Sequence, residues 1–158
     1  MIELAVNGVN EPKGVIYVDM PTVCELEAQV VLAMQEALGW SPDDSIDAGE
    51  RNTADLLLPE YYPEANVFEE MSLNDILKNF KHACKKFKRE YKKVPVLIID
   101  NSNRLSKQNT RTLDLFQDFA KDATDARCAS VVFVTSEGRV LRHMRGNSIM
   151  FSVLIVMC

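Results

Sequence analysis

Three apolar runs in this sequence end on side chains that can do chemistry. Gly14-Val15-Ile16-Tyr17-Val18-Asp19 and Val94-Pro95-Val96-Leu97-Ile98-Ile99-Asp100 each close on a carboxylate, and Asn101 follows the second. Ser130-Val131-Val132-Phe133-Val134-Thr135-Ser136 closes on two hydroxyls, with Glu137 next. Carboxylates order the water around a divalent cation or take a proton, and hydroxyls position an attacking water or a phosphate oxygen. Arg139, Arg142 and Arg145 follow at three-residue spacing and would share one helix face. Guanidinium forks match phosphate oxygens, although a solvated face or an inter-subunit contact explains the same spacing. A buried strand must end in something polar, so Asp19 alone reads as a strand-end cap. The succession of three such ends is the informative feature.

The intervening segments must hold these ends together. Each apolar run is continuous rather than alternating, which is the pattern of a strand covered on both faces. Pro95 lies near the start of its run, where a missing ladder donor is tolerated. Met20-Pro21-Thr22 opens a helix to about Leu38, with Val23, Leu26, Val30, Ala33 or Met34, and Ala37 inward and Gly39 at the C′ position. Ser72 with Asp75 forms an S-x-x-D cap for a second helix. Its inward face is Leu73, Ile76, Leu77, Phe80, Cys84, Phe87 and Tyr91, and its outer face is rich in lysine. Asn109 or Thr110 caps a third, with Leu113, Phe116, Phe119 and Ala120 inward. Residues 41–71 are acidic and irregular and read as an insertion with a short helical piece. Glu137 to Asn147 reads as a polar connection, and Phe151 to Met157 as a last apolar run. The alternation predicts one α/β domain over residues 1–158: a three-layer open parallel sheet with flanking helices. In such sheets, ligands gather beyond the carboxyl ends of the strands.

In these runs the chain resembles the P-loop NTPase superfamily, specifically the STAND and AAA+-like ATPases. Val96 to Asn101 looks like a Walker B strand, Val131 to Ser136 like the sensor-1 strand, and Gly14 to Asp19 like the strand after the P-loop helix. The resemblance implies ATP and Mg²⁺ as cofactors, with Asp100 facing the metal's water shell. It implies that Asn101, Thr135 and Ser136 handle the attacking water or the γ-phosphate, and that Asp19, Arg139 and Arg142 contact nucleotide. No G-x-x-x-x-G-K-S/T motif occurs in residues 1–158, so the phosphate cradle and its lysine have no counterpart. Met1 to Gly8 is similar to the back half of the helix that follows a P-loop, so a domain truncated ahead of its P-loop and missing its first strand is expected. In this superfamily the strand before the P-loop lies inside the sheet, so its loss predicts exposed edges and self-association. Asn101 stands where many members carry an acid, and an amide cannot act as the base for a water. The implied activity is ATP binding and hydrolysis driving a conformational switch, weak or absent in this chain. The alternative is a non-catalytic protein–protein interaction module.

Composition narrows the partners. The net charge of −5 over 158 residues conceals a division: residues 1–71 hold 2 Lys/Arg against 15 Asp/Glu, and residues 72–158 hold 16 against 8. The lysines of 78–93 read as a solvated helix face or one facing the acidic insertion, with a nucleic-acid patch the third possibility. Cys24, Cys84, Cys128 and Cys158 form no CxxC or Cys/His cluster, so reduced, buried thiols are expected. Met1 to Asn10 carries no basic residue, and the apolar stretch Ile149 to Cys158 is far below the roughly 20 residues of a membrane-spanning helix. The expectation is a soluble, cytoplasmic protein with a protein partner or self-association and no membrane.

Overall fold

The three apolar runs become neighbouring parallel strands. The computed structural model describes residues 14–39, 71–146 and 154–157. Its strands are β1 (Val15–Asp19), β2 (Val96–Asp100), β3 (Ser130–Thr135) and β4 (Leu154–Met157), in one parallel sheet of order β1-β2-β3-β4. The helices are α1 (Glu27–Ala37), α2 (Leu73–Tyr91), α3 (Asn103–Gln108), α4 (Thr110–Asp125) and α5 (Gly138–Gly146). β2 starts two residues later than the apolar run does, because Pro95 has no N–H to give the ladder; its carbonyl still accepts from Ser130 N–H at 2.9 Å.

Strands met in chain order and joined by right-handed crossovers send their helices to the same face. That face carries Ile16 and Val18, Leu97 and Ile99, Val131 and Phe133, which join the buried residues of the helices in one core. α2 supplies Leu73, Ile76, Leu77, Phe80, Cys84 and Phe87 to it, as its periodicity predicts, and Tyr91 is partly buried against it. α4 supplies Leu113, Phe116, Phe119 and Ala120, and the rings of Phe80 and Phe119 meet at 5.9 Å. The second face carries Tyr17, Ile98 and Val132 in register. The third layer expected from the sequence would lie there, and the helix read into residues 1–8 lies outside the described residues, as does the insertion at 41–70. The architecture is an α/β open parallel sheet flanked by helices.

Several boundaries differ from expectation, each for a local reason. α1 begins at Glu27 rather than Thr22, and Val23 and Leu26 are 52% and 66% exposed instead of inward. The helix entry is set by Gln29, whose Oε1 accepts from Leu26 N–H at 3.2 Å. Val30 and Met34 are buried as expected, and Gly39 takes φ +68° after the helix end. Within the stretch read as a polar connection, residues 138–146 form a helix, with Val140 and Met144 in the core. The sensor-like strand β3 is paired on both sides, by β2 and by β4, with Phe133 opposite Ile99 and Ile155.

Candidate functional site

Parallel register brings the strand ends to one edge. Asp19 lies directly opposite Asp100. After Asp100 the chain must turn sharply into α3, and it does so through Asn101 at φ +53°, a left-handed conformation that Asn tolerates better than most residues. The turn directs two donors at the two carboxylates. Asn101 N–H donates to Asp100 Oδ1 at 2.6 Å, and its side-chain amide donates to Asp19 Oδ1 at 2.7 Å. The other Asp100 oxygen, Oδ2, accepts from the Tyr17 hydroxyl. Asp19 also pairs with Arg104 at 3.5 Å, and the same guanidinium donates to the Met20 carbonyl.

The hydroxyl end is built separately. Thr135, buried at the end of β3, donates from Oγ1 to the Glu137 carbonyl at 3.0 Å and accepts from Glu137 N–H at 3.2 Å. That closed turn delivers the chain into α5. Ser136 is exposed and Glu137 pairs with Lys107 of α3. Ser102 ties the two ends: its N–H and its hydroxyl both reach the Val134 carbonyl, at 3.1 and 2.8 Å. Arg139, Arg142 and Arg145 all lie on α5, where Arg142 is exposed. Asp19, Asp100 and Asn101 are thus in one network, and Thr135 is on the neighbouring strand with its hydroxyl turned to its own loop.

Sequence reasoning missed α3 and what it does. Gln108 Nε2 donates to the Thr22 carbonyl at 3.0 Å, and Gln108 Oε1 accepts from Cys24 N–H at 2.8 Å. Asn109, which caps α4 as predicted, also donates to the Glu25 carbonyl at 3.2 Å. With Arg104, these side chains clamp the whole segment from Met20 to Glu25. Burial pushes the Cys24 thiol up; the nearby Arg104 charge opposes this and Glu25 adds to it. Tyr17 was missed as well, although its place two residues before Asp19 puts it on the same face of β1. Cys24, Cys84 and Cys128 are free and buried, as expected, and Cys158 lies outside the described residues.

Away from this edge, the basic face of α2 is partly engaged by α4 and the turn that follows it. Lys81 pairs with Asp122, and Lys88 donates to the Arg127 carbonyl at 2.6 Å. Among the described residues, no group of three His, Cys, Asp or Glu is placed to hold a metal directly. No described helix is long and apolar enough to cross a membrane. No protein-family model matches the chain, and no curated protein or solved structure matches it either.

Proposed function

We propose that this chain is an ATPase-type α/β domain of the P-loop kind, similar to the STAND and AAA+ ATPases, whose ancestral task is ATP binding and hydrolysis coupled to a conformational switch. The observation that carries the reading is the strand order. The strand ending in Asp100 runs between the one ending in Asp19 and the one ending in Thr135, all parallel, with their polar ends at one edge. That is the neighbourhood in which a Walker B-like carboxylate and a sensor-like hydroxyl work from adjacent strands.

The residues suit a hydrated cation arriving with its nucleotide better than a metal held by protein alone. Asp100 and Asp19 end adjacent strands in direct register, so metal-bound water would find two carboxylate acceptors here. Mg²⁺ would neutralise phosphate charge, and the chain's own part is to orient its water shell through Asp100. Thr135 or Ser136 would face the γ-phosphate, and Arg139 and Arg142 its oxygens. Asn101 offers a donor but no base, so the expected hydrolysis is slow or nil. A thermal-shift titration with Mg·ATP tests the proposal. It predicts a rise in melting temperature that Asp100→Ala abolishes; no shift at millimolar Mg·ATP removes it.

A second reading, a non-catalytic protein–protein interaction module, is favoured by a different observation. Asp100, Asn101 and Thr135 are all hydrogen-bonded within the protein, while Val23, Leu26 and Leu32 on and before α1 are 52%, 66% and 64% exposed. This reading predicts no nucleotide response, together with association that Leu26→Ser and Leu32→Ser weaken, measured by sedimentation velocity.

A further inference from the structure

Helix α2 turns outward a row of cations that the nucleotide reading leaves unused. Residues 72–93 hold 8 Lys/Arg against 2 Asp/Glu. The buried residues of α2, from Leu73 to Phe87, fix which way the others point. Lys78, His82, Lys85 and Arg89 follow at three- and four-residue steps, which stacks them along one line of the helix surface. All four are exposed, and the row runs about 16 Å along the axis. The flank toward α4 is already engaged: Lys81 pairs with Asp122, and Lys88 donates to the Arg127 carbonyl. Within the row, Lys78 meets the exposed carboxylate of Asp75 at 3.7 Å. Lys85 and Arg89 have no side-chain hydrogen-bond or ion-pair partner among the described residues.

Such a row costs the helix stability. Lys85 lies four residues from both Lys81 and Arg89, and each like-charge pair at that spacing is unfavourable by about 0.2–0.5 kcal/mol. A solvated helix face ordinarily mixes signs. A partner with regularly spaced negative charge removes the repulsion and adds attraction. The net charge of −5 does not forbid this, because physiological salt screens each charge beyond about 8–10 Å. The side chains also select the kind of polyanion. Protein interfaces centre on apolar and aromatic anchors and are poor in lysine, and the row offers no such anchor. The rings of Phe80 and Phe87 are in the core, and Tyr91 is partly buried against it. Without an exposed ring, the row also lacks the stacking platform that single strands use. What it offers is charge at intervals, suited to duplex phosphates that are contacted without regard to sequence.

We propose that the outer row of α2 docks the phosphate backbone of a nucleic-acid duplex, without sequence preference, through Lys78, Lys85 and Arg89. The proposal does not rest on the nucleotide reading, since it uses none of the strand-end residues. Three cations on three phosphates give a slope of log K against log salt of about −2.7, so binding should weaken about fortyfold between 50 and 200 mM salt. With Lys78 alone left, the same change of salt should weaken binding only about three- to fourfold.

The experiment measures fluorescence anisotropy of labelled random-sequence DNA duplex, RNA duplex and single-stranded DNA with the full chain, across that salt range. It compares the parent with Lys85→Gln/Arg89→Gln, and with Arg111→Gln/Lys121→Gln, which removes two exposed cations from α4 instead. Glutamine is nearly as good a helix former as lysine or arginine, so both variants should keep the parent's circular dichroism. The parent should bind duplex with the steep salt dependence, the α2 variant should bind more weakly with the shallow one, and the α4 variant should match the parent. Binding of either duplex supports the surface, and the tighter one names the source of the phosphates. Absence of duplex binding at 50 mM salt would overturn the proposal, as would equal losses in the two variants or tighter binding of the single strand. Displacement of the duplex by polyglutamate at equal charge would overturn it in favour of an acidic polypeptide.

Discussion

Asp19 and Asp100 end neighbouring parallel strands in direct register, and one residue, Asn101, donates to both carboxylates. Two like charges at adjacent strand ends repel, and a neutral residue giving a main-chain donor to one and a side-chain donor to the other relieves that repulsion. Arg104 adds a counter-charge on Asp19. The carboxyl edge is thus a polar network closed on itself.

Changing Asn101 to Asp replaces a donor with a third carboxylate. The expected cost is about 1–3 kcal/mol at pH 7, from the lost hydrogen bond and added repulsion. Urea unfolding of both proteins at pH 7 checks the size.

Gly14 precedes β1 at φ +90°, and a Cβ placed there would lie 2.7 Å from the Phe87 ring. Both the backbone conformation and the contact exclude a side chain, since Phe87 is itself buried in the core. Gly14→Ala should destabilise by about 1–3 kcal/mol through overpacking. Phe87→Leu in the same chain should recover part of the loss by shortening the ring side, as read from thermal unfolding midpoints.

Phe80 and Phe119 join α2 to α4 across the helix layer. Phe80 is 1% exposed, so Phe80→Ala removes a fully buried ring and leaves a cavity, at a cost of about 3–5 kcal/mol. Against a total domain stability of about 5–15 kcal/mol, that places the variant near its unfolding limit. Phe119→Ala should cost less when Phe80 is already Ala, because the two share one contact. Denaturant titration of the three variants measures the coupling.

Ser72 caps α2 in both directions: its Oγ accepts from Asp75 N–H at 3.3 Å, and its hydroxyl donates to the Asp75 carboxylate at 2.6 Å. The sequence pattern implied the cap, but the carboxylate accepts from the Ser72 hydroxyl rather than reaching back to the backbone. That hydrogen bond, with a smaller contribution from Lys78, holds the Asp75 carboxyl below its usual range. A folded-state pKa below the unfolded one stabilises above the unfolded value, and this contribution disappears as pH falls through the folded value. Ser72→Ala should cost about 1 kcal/mol at neutral pH. The gap should narrow below about pH 3.9, the unperturbed aspartate value, which unfolding at pH 7 and pH 2.5 would show.

The sequence disclosed the strands that end in Asp19, Asp100 and Thr135 because continuous apolar runs bounded by polar residues have few other meanings. It disclosed α2 and α4 because Leu73 to Phe87 and Leu113 to Ala120 repeat at helical spacing. α3 was invisible for the converse reason: six residues with a single buried position, Leu105, carry no period. The start of α1 was misread because Pro21-Thr22 is a helix-opening signal locally, whereas tertiary contacts from Arg104, Gln108 and Asn109 to the main chain of Met20 to Glu25 hold the segment in a bent, non-helical path. The Tyr17 hydrogen bond to Asp100 spans 83 residues and depends on interstrand register, which local pattern does not contain.

That clamped segment carries its own chemical reporter. Met20 to Glu25 is held to α3 and the start of α4 by side chains reaching its main chain, and Gln108 supplies two of the four contacts. Cys24 is fully buried beneath the clamp, and burial keeps its thiol protonated to a higher pH than usual. In the folded protein it should react slowly with thiol reagents, at a rate set by local opening. Gln108→Ala removes both contacts and leaves the Cys24 N–H without its acceptor, so the segment should open more often, by about tenfold if roughly 1.4 kcal/mol is lost. Cys84 lies in α2, with its thiol also pushed up by burial and its main chain held within that helix rather than by Gln108, so its rate should not change. Cysteine-resolved alkylation followed by mass spectrometry separates the two. Faster labelling of Cys24 alone would mark 20–25 as a locally opening unit governed by α3. Parallel acceleration at Cys84 would mean global destabilisation instead.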